Sequence, residues 1–214
     1  MKTSNPVRTR ARRIVRILAQ EYPDAHCALQ HDNPLQLLIA TILSAQCTDV
    51  RVNLVTPGLF ARFPNAKAFA TADPRALEAA IQSTGFFRNK ARNIQECCKQ
   101  LVGQYQGQVP KTMEELVELP GIGRKTANVI LGSAYDVPGI TVDTHVKRLS
   151  RRMGLTTQTD PERIERDLMQ LIPRQEWTLF SHRLIFHGRQ VCYARKPNCP
   201  DCALNKICPK IGVD

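Results

Sequence analysis

Leu119-Pro120-Gly121-Ile122-Gly123-Arg124-Lys125-Thr126-Ala127 is the stretch on which the fold turns. Thr112-x-x-Glu115 reads as a capping box ahead of Leu116 and Leu119. A second apolar run at helical spacing opens after Gly123, so the stretch joins two helices. Glycines at 121 and 123 permit a tight hairpin with positive φ and close backbone approach. The N–H groups that open the second helix then face outward and, with the helix dipole, form an anion site. Such a site reads no base and suits a nucleic-acid phosphate in any sequence. A nucleotide P-loop is excluded, because that motif needs G-x4-G-K-[ST] after a strand. Taken alone, the stretch also fits an ordinary αα-turn that uses glycine for its geometry.

Outward from the hairpin, helical signals dominate and no alternating strand pattern stands out. Val7, Ala11, Ile14, Val15 and Leu18 mark an amphipathic helix over residues 6–21, preceded by a short tail. Pro34 opens a helix reaching about Cys47 that is apolar almost all round and therefore central. Asp49 is placed to cap the next helix, which Pro57-Gly58 interrupts. Asp73-Pro74 and Asp160-Pro161 each read as a cap followed by proline at the first helical position. A long helix is predicted from about Phe87 to Tyr105, another from Asp143 to Gly154, and a last one over Glu176 to Arg189. The chain is thus all-α, with about ten helices. Two lobes are expected: a continuous segment, 24–135, and a second that joins 1–23 to 136–214.

At 214 residues and 43% hydrophobic content the chain can bury one good core or two small ones. Its net charge of +11 and pI near 9.6 point to a polyanionic partner, nucleic acid or an anionic surface. The most apolar stretch, Leu35 to Ala45, is shorter than the about 20 residues a bilayer span takes. No membrane role is expected. The N-terminal region carries Lys2, Arg8, Arg10, Arg12, Arg13 and Arg16 with no acid before Glu21. It lacks the continuous apolar core of a signal peptide, and its arginines are assigned to the wet face of the first helix. A reducing, cytoplasmic setting of bacterial type is the expectation.

Cys192-x6-Cys199-x2-Cys202-x5-Cys208 places four thiols within 17 residues. Zinc modules use two tight C-x2–4-C pairs, or finish with histidines; here only the middle step is tight. Long flanking steps suit one loop wrapped round the corners of a [4Fe–4S] cubane. The spacing differs from ferredoxin runs, so zinc, disulfides and bare thiols stay open on spacing alone, and a reducing setting favours metal over disulfide.

Two residues near the hairpin stand out chemically. Lys125 falls in the first turn of the second helix, where the dipole and Arg124 both favour the neutral amine. Such an amine is a candidate nucleophile near neutral pH; a phosphate-binding surface lysine is the plainer role. Asp143, 18 residues on in Thr141-Val-Asp-Thr-His145, is placed to cap a helix. It is also a candidate carboxylate to take a proton from an amine or to face a cationic sugar centre. His145, His182 and His187 read as structural, and Cys27, Cys47, Cys97 and Cys98 as small apolar residues.

LPGIGRKTA, VDTHV about 20 residues later, and C-x6-C-x2-C-x5-C together resemble endonuclease III, the iron–sulfur branch of the helix–hairpin–helix DNA glycosylases. Leu43-Ser-Ala-Gln-Cys-Thr-Asp49 and Ser83-Thr-Gly-Phe-Phe-Arg-Asn-Lys90 sit where that family has similar segments. The resemblance covers most of the chain. It implies a two-lobed fold, a six-helix barrel lobe and a [4Fe–4S] cluster lobe, acting on double-stranded DNA that carries oxidised pyrimidines such as thymine glycol, or abasic sites. Lys125 matches the family's nucleophile, which attacks C1′, displaces the base and goes on through a Schiff base to β-elimination. Asp143 matches the assisting carboxylate. Cys192, Cys199, Cys202 and Cys208 match the cluster ligands. Gly121, Gly123 and Arg124, with Arg195 and Lys196 of the cysteine loop, are the implied DNA contacts. Gln46 and Phe86 match segments that fill the gap left by the extruded nucleotide, although an aliphatic residue is expected in place of Phe86. An aromatic there would stack rather than plug. A monomer that searches DNA is expected.

Two other readings keep part of this pattern. A monofunctional glycosylase of the adenine-excising branch shares the cysteine spacing, but Lys125 and the end at Asp214 count against it. A non-catalytic DNA-binding module with a structural metal would need neither Lys125 nor Asp143.

Overall fold

The structure, a computed structural model, describes residues 6–213, so the short tail expected before residue 6 lies outside the described residues. Among them are eleven α-helices, two 3-10 turns and no strand. The chain divides into two compact units, one Cys27–Val137 and the other Met1–His26 with Pro138–Asp214.

The Cys27–Val137 unit holds α2 (Pro34–Leu43), α3 (Asp49–Arg62), α4 (Ala66–Ala70), α5 (Pro74–Ile81), α6 (Phe87–Tyr105), α7 (Met113–Val117) and α8 (Arg124–Ala134). Its centre is α2, in which every residue from Leu37 to Leu43 is buried. Each such Leu or Ile contributes about 1.5–3 kcal/mol. Thr41, the one hydroxyl in that run, donates to the Leu37 carbonyl at 2.6 Å and is thereby satisfied. Helices α3, α6 and α8 pack against α2.

Local signals set most helix starts. Asn33, Asn65, Asp73 and Thr112 each accept a backbone N–H from the first turn. At Thr112 the Glu115 carboxylate takes the threonine hydroxyl at 2.6 Å, a variation on the expected capping box. Three expectations need correction. Helix α2 stops at Leu43, before Cys47, because the Ser44 N–H closes the last turn on Ala40 and Gln46 then turns left-handed at φ 52°. Thr48, rather than Asp49, caps α3 through its hydroxyl, and Asp49 occupies the first turn. Pro57 does not interrupt α3: the single N–H it removes is outweighed by the core face of Val52, Thr56 and Leu59.

The second unit holds α1 (Pro6–Glu21), α9 (Thr144–Arg152), α10 (Pro161–Leu171) and α11 (Trp177–Gln190), followed by the cysteine loop. Ile14, Leu18, Val146, Leu149, Phe180 and Leu184 form its core, and Leu204 seals it from the loop side. Gly188 lets α9 approach α11, since a Cβ there would stand 2.7 Å from the His145 imidazole. The expected last helix begins at Trp177 after a 3-10 turn.

His182 is buried in this unit. Desolvation, helped by the neighbouring charge of His26, pushes its imidazole down to about 4. The unfolded chain takes up a proton near pH 6.5 that the folded chain refuses until about 4. The stabilisation is therefore complete above pH 6.5 and is lost as pH falls through about 4. Urea midpoints measured over that window fall with acidity, and His182→Gln flattens the slope; an unchanged slope would remove His182 from the account.

Candidate active site and cysteine cavity

The hairpin between α7 and α8 is built by glycines with different tasks. Gly121 is the left-handed residue, at φ 81°, and a Cβ on it would press on Asn93 of α6 at 3.1 Å. Gly123 departs from expectation: its φ is −97°, open to any residue. Nor is its missing Cβ required, since a Cβ there would meet nothing within 4 Å. It is the N-cap of α8, and no side chain caps that end. Such a glycine-started helix end, with its N–H groups and dipole, is the kind that attracts an anion. Arg124 and Lys125 follow directly, both exposed.

Gln46 and Phe86 lie in the same unit, after α2 and before α6. Both are exposed, and both are left-handed without being glycine, at φ 52° and 47°. Each such residue costs about 1–2 kcal/mol. Gly85, at φ 71°, precedes Phe86. Lys90, beneath these turns, is buried, and its ammonium donates to the carbonyls of Leu43 at 2.7 Å and Thr84 at 2.8 Å. Sequence reading gave Lys90 no role.

Asp143 lies in the other unit, half-buried, as the N-cap of α9. Its Oδ1 accepts from the Val146 N–H at 2.8 Å.

Cys192, Cys199, Cys202 and Cys208 are all free thiols and line one cavity with Met153, Val191 and Leu204. Burial pushes the thiols of Cys202 and Cys208 up, and the charges of the other cysteines push further. The four sulfurs thus surround a shared space in which thiolates repel and a cationic centre would relieve them. No group of three or more His, Cys, Asp or Glu is gathered among the described residues so as to hold a metal ion.

Sequence reading also missed what holds this loop. Arg152 donates to Cys192 Sγ at 3.3 Å, the Tyr193 carbonyl at 2.6 Å and the Ala194 carbonyl at 2.9 Å. One turn earlier, Arg148 donates to the carbonyls of Gly188 and Cys192. Their i, i+4 spacing was the available signal. His187 shares a 3.0 Å hydrogen bond with the Tyr22 hydroxyl and lies 3.4 Å from Cys202 Sγ, so it orients a cysteine as well as filling core. Arg195 and Lys196 are exposed on the loop. Cys97 and Cys98 are wholly buried with thiols pushed up by desolvation, inert core residues.

Residues 39–174 match the HhH-GPD superfamily of base excision DNA repair proteins. Endonuclease III of Synechocystis is 59% identical over 201 residues, spanning 94% of this chain and 92% of that protein. The chain belongs to the endonuclease III family. Endonuclease III of Bacillus subtilis is 45% identical over 87% of this chain and 86% of its own length. Among solved structures, a trapped endonuclease III–DNA covalent intermediate superposes with a TM-score of 0.91 at 45% identity, covering 98% of this chain and 97% of that one. A thermostable thymine-DNA glycosylase, at 18% identity and TM-score 0.88, shares the fold. In the endonuclease III fold of this chain, no helix among the described residues is long and apolar enough to cross a membrane.

The two hairpin glycines respond differently to an added methyl group. Gly121→Ala lowers stability by about 1–3 kcal/mol through its φ and the contact with Asn93, while Gly123→Ala costs distinctly less. Urea unfolding of both variants checks this; equal losses would contradict the assignment.

Proposed function

We propose that Lys125 is the nucleophile through which this chain, a bifunctional base excision repair glycosylase and lyase, removes oxidised pyrimidines from double-stranded DNA. The observation that carries the reading is the exposed Lys125 amine just inside α8, beside N–H groups that no side chain caps. These N–H groups and Arg124 would hold a phosphate next to the target nucleotide while the amine meets its sugar. The neutral amine attacks C1′ and the N-glycosidic bond breaks; the electron pair leaves with the base, which gains a proton as the amine loses one. Opening of the sugar then gives an imine. Loss of a C2′ proton with cleavage of the C3′–O bond nicks the strand.

Asp143 supplies the carboxylate of this scheme, taking the amine proton or facing the cationic sugar. The cap uses Oδ1 only. Gln46 and Phe86 enter the gap left by extrusion, and the Phe86 ring stacks on a neighbouring base. The four cysteines would hold a [4Fe–4S] cluster that shapes and charges the loop carrying Arg195 and Lys196 toward phosphates. The protein acts as a monomer, with affinity that falls steeply with salt.

On a duplex with one oxidised pyrimidine, borohydride traps a covalent adduct with the wild type and none with Lys125→Ala, which still binds the duplex. Asp143→Asn slows base removal by about 10²-fold or more and remains folded. An adduct with Lys125→Ala would exclude this nucleophile. Wild-type protein that binds and yields no adduct would favour a monofunctional glycosylase or a binding module. Anaerobically purified protein should contain about four iron atoms per chain and absorb broadly in the visible; stoichiometric zinc would overturn the cluster.

A further inference from the structure

We propose that Lys90 is a positioning residue for extrusion, a clamp that ties the turn presenting Gln46 to the turn presenting Phe86. The proposal rests on the gap-filling reading of those two residues. Lys90 lies in the first turn of α6 and is 4% exposed. One N–H donates to the carbonyl of Leu43, the last residue of α2, and another to that of Thr84, which ends the 3-10 turn before Gly85. The tied carbonyls are thus 47 and 6 residues from Lys90 in sequence, and three and two residues from Gln46 and Phe86.

A buried ammonium is a costly way to join two turns, and no carboxylate is paired with Lys90 among the described residues. Its partners are main-chain oxygens alone, so the clamp fixes backbone and leaves both exposed side chains for the duplex. Local bonds support each turn separately: Cys47 N–H reaches Ser44, and Thr84 donates to Ile81. None of these joins one turn to the other; Lys90 does. Two left-handed non-glycine residues stay in place only where their surroundings over-determine them, and both tips must enter one gap together. An apolar residue of the same length would fill the space and release the two turns from each other.

The test uses the whole protein, Lys90→Met, and a duplex with 2-aminopurine opposite a tetrahydrofuran abasic analogue. Insertion into the gap unstacks the probe and raises its fluorescence. Lys90→Met should keep the wild-type circular dichroism and bind the duplex, yet lose most of the rise. On a second duplex that carries one oxidised pyrimidine, its base-removal rate at saturating enzyme should fall roughly ten- to a hundredfold, as for a misplacement of about 1 Å, with less change in KM. The loss should be non-additive with Gln46→Ala plus Phe86→Ala, since one interaction is removed twice. Lys90→Gln, which keeps an N–H donor, should recover part of the signal, and it replaces Met in every comparison if the Met variant does not fold. Wild-type fluorescence and rate in the folded variant, or simple additivity, would overturn the clamp. If the Gln46/Phe86 double variant itself leaves the signal at the wild-type level, the gap-filling reading falls and the clamp with it; adduct formation at Lys125 is unaffected by that outcome.

Discussion

The burial of α2 is the constraint on which the Cys27–Val137 unit depends. A helix with no wet face over Leu37–Leu43 has to be enclosed, and α3, α6 and α8 enclose it. Each candidate site element of this unit is an end of one of these helices. Gln46 follows the C-terminus of α2, Phe86 precedes the N-terminus of α6, and Lys125 lies in the first turn of α8. Because their cores are packed, the ends inherit rigid positions without being buried. That is how the Lys125 amine and the side chains of Gln46 and Phe86 are held in place while remaining exposed to a large ligand.

The other unit solves a different problem. Its cysteine loop has little regular structure, so it borrows order from α9 and α11. Arg148 and Arg152 reach carbonyls of the chain leading into and round the loop, and His187 meets Cys202. These are donors aimed at acceptors, and they define a cavity lined by four free thiols. Helix α9, capped at its start by the Asp143 carboxylate and holding the cysteine loop through Arg152 in its last turn, links that carboxylate to the loop through one short rigid element.

What could be read in the sequence was what is local. Cap-plus-proline pairs at Asp73 and Asp160, the threonine at 112 and the turn glycine at 121 act within four residues, and their elements formed where expected. The errors fell where tertiary packing outweighed a local rule. Pro57 stays within α3 because the core face of that helix continues past it. Gly123 was assigned a positive φ on composition, but its dihedral angles suit any residue and a Cβ there would meet nothing within 4 Å. Lys90 could not be found from periodicity, since one of its partners is the Leu43 carbonyl, a backbone atom 47 residues away. The roles proposed for Lys125, Asp143 and the cysteines rest on their joint order along the chain; no one of them is diagnostic by spacing alone.

Net charge needs the same care. A value of +11 suggests a surface devoted to phosphates, yet several cations are already committed inside the fold. Lys90, Arg148 and Arg152 hold carbonyls, Arg10 donates to Gly154 at 2.6 Å, and Arg183 is paired with Glu176. A cation turned inward onto carbonyls counts toward the formal charge but presents little of it to a phosphate at the surface. The cations that remain at the surface include Lys125 in the first turn of α8 and Arg195 and Lys196 on the cysteine loop. Charge in this protein is therefore divided between two jobs, and the buried share positions the backbone that carries the exposed share.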